Sequence, residues 1–213
     1  MPYPNFTRAE RIADGMVHVL GVIAAIIGVT ALLYYSAHQM GWGIFTATVI
    51  YATGLIAMLS ASAIYHLAAH TPARPILRRL DHAAIYIKIA ATFTPLSVIL
   101  NTSYGYLILA CVWALALFGV VGKLTAKRGA MTTGWWPYLA LGWIGLALFI
   151  PLMGVLTGYS LLLLLSGGLL YSTGVVFYRW EGLKYATAIW HGFIVIASGC
   201  FFLGISSALA SGG

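Results

Sequence analysis

The chain has 213 residues, of which 62% are hydrophobic and 7% are charged, and its mean hydropathy is +0.95. Soluble domains carry about 25% charged residues, so this composition excludes an ordinary soluble protein and predicts an integral membrane protein. The formal net charge of +7 does not indicate a nucleic-acid partner, because the basic residues fall in short segments between apolar runs. We interpret them as topology signals and as contacts to anionic lipid headgroups, and we expect membrane lipids to be the partners.

Apolar runs along the chain predict an all-α bundle of seven membrane-spanning helices. A span needs about 20 apolar residues to cross a hydrocarbon core of ~30 Å, and each run is close to that length. The spans are expected near residues 17–37, 44–66, 82–101, 104–122, 136–156, 159–178 and 186–208. Neither an internal repeat nor a second domain is visible, so residues 1–213 are expected to form a single membrane domain.

The basic residues between these runs predict the orientation of the chain. Ten of the eleven lysines and arginines precede the first span or lie in the loops after the second, fourth and sixth spans. They are Arg8, Arg11, Arg74, Arg78, Arg79, Lys123, Lys127, Arg128, Arg179 and Lys184. Cytoplasmic loops are enriched in Lys and Arg, so we expect the N-terminus in the cytoplasm and the C-terminus outside.

Ionisable residues are predicted at the cytoplasmic ends of four spans. His18 begins the first span, His66 ends the second, Asp81 precedes the third, and His191 lies about one turn into the seventh. Such residues are costly in a membrane and usually face the bundle interior, so a single inward-facing site is expected. Imidazoles and a carboxylate suit zinc, which can activate a bound water. The alternative is that each histidine only caps or hydrogen-bonds the end of its helix.

Two further polar residues share helix faces with this group. Ser62 lies one helical turn before His66 and projects from the same face. Lys88 lies seven residues after Asp81, about two turns deeper, and is the only basic residue predicted within a span. An intramembrane lysine normally needs a partner, and Asp81 is nearest in sequence, at roughly 10 Å of helix rise.

Four motifs, in order, carry a family resemblance. They are Ser62-x-x-x-His66, LDHAAIYIKIAATFTP from Leu80 to Pro95, GGLLYSTGVVFY from Gly167 to Tyr178, and IWHGFIVIAS from Ile189 to Ser198. With these motifs the chain resembles the hemolysin III family, the bacterial branch of the progestin and adipoQ receptor (PAQR) superfamily, which is related more distantly to alkaline ceramidases. The resemblance covers the chain from about Glu10 onward. It implies a seven-helix bundle with a cytoplasmic N-terminus, in a bacterial inner membrane.

The same resemblance implies a zinc site. In the superfamily, zinc is held by a histidine at the position of His66 and by an HxxxH pair on the last helix. An aspartate like Asp81 and a serine like Ser62 lie close to the metal and its bound water. Here His191 matches the second histidine of the pair, but the first falls on Thr187, and threonine is a poor zinc ligand.

A further departure from the family pattern lies near the N-terminus. Asp14 stands where asparagine is usual, four residues before His18. Asp14 and His18 share a helix face at this spacing. They could supply a replacement ligand or simply pair with each other.

Two accounts of the cluster follow. In the first, His66 and His191 hold zinc with help from Asp81, Asp14 or His18. The metal activates water for hydrolysis, with Asp81 as proton acceptor and Ser62 as an orienting hydroxyl. In the second, Lys88 forms an ion-paired network with Asp81 and no metal is needed.

Three functions are compatible with these residues. By resemblance to ceramidases, the first account predicts hydrolysis of a lipid amide or ester reached from the inner leaflet. The alternative is a non-enzymatic protein that senses or adjusts the state of membrane lipids. A pore-forming cytolysin has little support, because no span carries a continuous polar stripe that would line a conducting path.

Overall fold

The computed structural model describes residues 6–68, 70–126, 134–180 and 182–211. Lys127 and Arg128, two of the predicted loop charges, lie outside the described residues. Over the described ranges the regular elements are all helices: α1 (Arg8–Gln39), α2 (Trp42–Leu67), α3 (Arg74–Leu100), α4 (Ser103–Thr125), α5 (Trp136–Trp143), α6 (Leu146–Leu152), α7 (Gly158–Tyr178) and α8 (Ala186–Ser211). This confirms the predicted all-α fold.

The distribution of polar and apolar side chains is that of a membrane protein. Large apolar side chains such as Ile27, Phe118 and Ile150 are 67%, 81% and 77% exposed on the outer surface, whereas Ser62 and Lys88 are buried. Six of the described helices are long and apolar enough to cross a membrane. An apolar surface of this extent needs lipid to cover it, so the chain is an integral membrane protein. The side on which each terminus lies stays a prediction.

The fifth apolar segment differs from the continuous span expected over residues 136–156. It forms two short helices, α5 and α6, separated at Ile144 and Gly145. At the break, the Gly145 N–H donates to the Gly142 carbonyl at 3.0 Å, which is a tighter turn than an α-helix makes. Irregular backbone at membrane depth is tolerated where it lines a cavity, and both glycines line the large interior cavity of this bundle.

The helices are arranged around that interior. Helix α1 packs between α2 and α8, α3 packs between α2 and α4, and α7 packs against α8, while α5 contacts both α3 and α7. Glycine permits the closest of these approaches. A Cβ at Gly54 of α2 would lie 2.6 Å from the Ala91 Cβ of α3, and a Cβ at Gly21 of α1 would lie 2.7 Å from the Val195 Cγ2 of α8. The helices that carry the predicted site residues are therefore neighbours.

Candidate metal centre

The first turn of α1 is tied to the start of α8. Thr7 caps α1 with its hydroxyl, and one carboxylate oxygen of Glu10 accepts the Thr7 N–H at 2.8 Å. The other oxygen of Glu10 accepts the backbone N–H of Tyr185 at 3.0 Å. Tyr185 directly precedes α8. This contact brings Asp14, one turn further along α1, opposite His191 of α8.

Asp14 is the centre of a cluster of three imidazoles. Its Oδ1 lies 2.6 Å from the Nδ1 of His191, and its Oδ2 lies 3.1 Å from the Nδ1 of His66 and 3.7 Å from the Nε2 of His18. The three imidazole rings are mutually close, with centroids 4.2 Å to 5.0 Å apart. One carboxylate therefore joins side chains from α1, α2 and α8.

The cluster has the burial and the donor atoms of a metal site. Asp14, His18 and His191 are buried and His66 is partly buried. The Nε2 of His18 is buried and has no hydrogen-bond partner among the described residues, a condition that native interiors usually avoid. One ligand atom from each of the four residues lies within 4.8 Å of the others. Imidazole nitrogens and a carboxylate oxygen are donor types that zinc and similar metal ions take in proteins, so the cluster could hold such an ion.

The predicted ligand candidates divide into two groups. His66 and His191 are brought together as expected, and His18 and Asp14 of α1 complete the cluster. Thr187 lies one turn before His191, lines the neighbouring cavity and takes no part in the cluster. The donor atoms that stand beside His66 and His191 in this cluster therefore come from α1 and not from position 187.

Asp81 and Ser62 lie beside the cluster and not within it. Both side chains are 7% exposed, and the Ser62 hydroxyl lies beside the Asp81 carboxyl. His66 is also near enough to Asp81 for a direct electrostatic interaction. Asp81 is therefore a carboxylate outside the cluster but next to the candidate metal centre, on the cavity side.

Arg78 also belongs to the site, although its position in a basic loop predicted only a role in setting the topology. It interacts electrostatically with Asp81 and lines the same cavity. The signal was present in the sequence, because residues three apart on a helix share a face.

Lys88 does not form the predicted ion pair with Asp81. Its Nζ lies 4.5 Å from the ring centroid of Tyr171 and 4.8 Å from that of Phe201. Every ion pair among the described residues is made by Asp14. The roughly 10 Å of helix rise between Asp81 and Lys88 is not bridged, because rings from α7 and α8 hold the ammonium where it is. The ion pair between Lys88 and Asp81, on which the metal-free account depends, is therefore not formed.

A cavity of about 500 Å³ joins these groups. Such a volume is typical of pockets that bind small molecules. At one end the cavity is lined by Ser62, His66, Asp81 and His191, and beyond Lys88 it is lined mainly by apolar side chains of α3, α6 and α7. The arrangement places a polar, metal-competent end next to an apolar chamber.

Comparison with known proteins gives similarity over most of the chain. A family model described as "Haemolysin-III related" matches residues 6–202. The "Hemolysin-3 homolog" of Bacillus subtilis (strain 168) is 35% identical over 199 residues, which cover 92% of this chain and 93% of that protein. The "Hemolysin-3" of Bacillus cereus is 32% identical over 194 residues, covering 91% and 89%. The human "Monocyte to macrophage differentiation factor" is 28% identical over 210 residues, covering 92% and 83%.

Proposed function

This chain belongs to the hemolysin III family of the PAQR superfamily, and we propose that it is a zinc-dependent hydrolase of membrane lipid amides or esters in a bacterial inner membrane. The proposal rests on one observation: a buried cluster of three histidines and an aspartate stands at the polar end of an apolar cavity. Zinc, when bound there, would supply Lewis acidity toward a water molecule and a substrate carbonyl.

The three histidines are the proposed ligands, and Asp14 orients them. An ionised carboxylate only accepts hydrogen bonds, so His191 and His66 donate their Nδ1–H groups to Asp14 and keep a lone pair on Nε2. Carboxylates of this kind fix the tautomer and the ring orientation of metal-binding histidines. The Nε2 of His18, which makes no hydrogen bond within the described part of the chain and lies 3.7 Å from the Asp14 Oδ2, is the proposed third nitrogen. A set of three protein ligands leaves the open position that catalytic zinc sites have.

Asp81 is the proposed proton acceptor. Its carboxylate stands outside the cluster, lines the cavity and lies beside the Ser62 hydroxyl. A general base must lie within hydrogen-bond reach of the proton that it takes, directly or through one water. The electrostatic interaction of Asp81 with His66 supports this role toward a water held at the cluster.

The cavity supports a lipid substrate. Its apolar chamber is suited to an acyl chain, because apolar lining stabilises apolar groups and the few polar groups fix their orientation. The scissile amide or ester would then lie at the polar end, next to Asp81 and the cluster.

Hydrolysis assays on purified protein test this function. Wild-type protein in detergent should release fatty acid from a lipid amide or ester. Asp81→Asn should lose roughly a hundredfold or more of that rate while keeping its metal. Thr173→Ala changes an exposed residue of α7 that does not line the cavity, and it should keep the rate.

If wild-type protein holds zinc and cleaves no lipid amide or ester, the non-enzymatic role in membrane-lipid homeostasis replaces the hydrolase. If Asp81→Asn cleaves at the wild-type rate, Asp81 is not the base.

A further inference from the structure

Lys88 is a buried cation in the wall of the cavity. Its side chain is 4% exposed, and its Nζ stands between the rings of Tyr171 and Phe201. Ring faces attract an ammonium group, so the two aromatic residues hold it in place. They carry no net charge, and the charge of Lys88 is not neutralised by them.

The described acidic side chains are engaged elsewhere. Glu10 accepts from Thr7 and Tyr185, Asp14 is surrounded by the histidines, and Asp81 interacts with Ser62, His66 and Arg78. Among the described residues, Lys88 has no anionic partner. A buried charge is costly unless it is paired. An anion that enters the cavity would remove that cost.

The surroundings of Lys88 define what else the ligand must carry. From Lys88 to Leu96, α3 rises by about 12 Å, and this part of the cavity is lined mainly by the apolar side chains Phe93, Leu96, Leu148, Leu152 and Leu164. Lys88 therefore stands at the border between the polar end and the apolar chamber. A ligand that fits both sides has one negative head and one apolar chain.

We propose that Lys88 binds the carboxylate of a single-chain amphiphile, a free fatty acid, whose chain fills the apolar chamber. One carboxylate matches the single charge of one ammonium, whereas a phosphate monoester would bring a second, uncompensated charge into the same chamber. Lys88 lies about 10 Å along α3 from Asp81, so this head group is bound apart from the metal cluster. Binding does not depend on the proposed hydrolysis.

Binding of hexadecanoate and of its methyl ester tests the proposal. Full-length protein in phosphatidylcholine nanodiscs is titrated with each labelled probe, and binding to empty nanodiscs is subtracted. Wild-type protein should bind the acid roughly ten- to hundredfold more tightly than the ester, because a charge-assisted hydrogen bond is lost in the ester. In Lys88→Met, which keeps a chain of similar length, that preference should disappear.

Lys123→Met is the matched control. Lys123 is also a buried lysine against an aromatic ring, 2% exposed and 5.3 Å from the centroid of Tyr138, but it does not line the cavity. This variant should keep the preference for the acid. His66→Ala should keep it as well, whereas a carboxylate bound to the metal cluster would lose it in His66→Ala and retain it in Lys88→Met.

The proposal is overturned if wild-type protein binds the acid and the ester equally, or if Lys88→Met binds the acid as tightly as wild type. The comparison of acid with ester in wild-type protein needs no variant, so equal binding would overturn the proposal even if Lys88→Met does not fold. Failure of lipid hydrolysis with an intact, Lys88-dependent preference for the acid would reject the enzyme and leave this site standing.

Discussion

Asp14 is the residue on which the geometry of the cluster depends. It is the only carboxylate that the described structure places among the histidines, and both of its oxygens are used. Three imidazoles in a buried site would repel one another if protonated. A central carboxylate accepts hydrogen bonds from imidazole N–H groups and so orients the rings. The other nitrogen of each such ring then keeps its lone pair for a cation.

Replacing Asp14 by asparagine should weaken metal binding. The amide has nearly the same shape, but it carries no charge and its NH₂ group cannot accept from an imidazole. Loss of such an orienting carboxylate typically costs ten- to hundredfold in metal affinity, and we expect a loss of about that size for Asp14→Asn in competition with a zinc chelator.

Asp81→Asn is the matched control for that measurement, since it makes the same change in a buried carboxylate beside the cluster. It should bind zinc as wild type does. Equal affinity in wild type and Asp14→Asn would show that the carboxylate does not organise the histidines.

At the residue scale, local spacing predicted part of this site. The four-residue spacing of Asp14 and His18 placed them on one face, and their use as replacement ligands was left open beside Asp81. The sequence does not show which of these residues join the cluster, because that depends on how α1 and α3 are rotated about their axes. That rotation is set by packing between residues far apart in sequence, such as Gly21 against Val195.

At the scale of elements, the pairing of the starts of α1 and α8 positions the cluster. A single carboxylate, Glu10, caps α1 and also receives the N–H of Tyr185. Tyr185 has a φ of 63°, a left-handed conformation that is uncommon outside glycine. The hydrogen bond to Glu10 helps to keep the chain in that conformation as it enters α8.

Glu10→Ala should therefore lower both thermal stability and zinc retention, because it frees the start of α8, which carries His191. Thr7→Ala is the matched control: it removes the capping hydroxyl, which costs about 1 kcal/mol of stability, but leaves the contact between Glu10 and Tyr185. Thermal unfolding and chelator competition measure the two effects. If Thr7→Ala and Glu10→Ala lose zinc equally, the link to α8 is not what positions His191.

The broken fifth segment shows a limit of hydropathy at this scale. Apolar content over residues 136–156 predicted a span and could not report the interruption between α5 and α6. Gly142, Gly145 and Pro151 were the local signals, since glycine and proline weaken or end helices. The interruption of the helix falls where the backbone lines the cavity, and only the three-dimensional structure reveals that placement.

At the scale of the whole molecule, the helices enclose a cavity that is polar at one end and apolar at the other. Length and hydropathy predicted the all-α bundle and most helix positions, because lipid imposes both on a membrane chain. The cavity and the position of Lys88 against the rings of Tyr171 and Phe201 arise from contacts across the bundle. No local pattern in the sequence encodes those contacts.

The metal content of purified protein tests the central claim, that α1 completes a zinc site which lacks the usual histidine at position 187. Wild type and Thr187→Ala should retain stoichiometric zinc by elemental analysis after purification without added metal, and His18→Ala should lose most of it. Zinc absent from wild type, or retained in His18→Ala and lost in Thr187→Ala, would contradict the account.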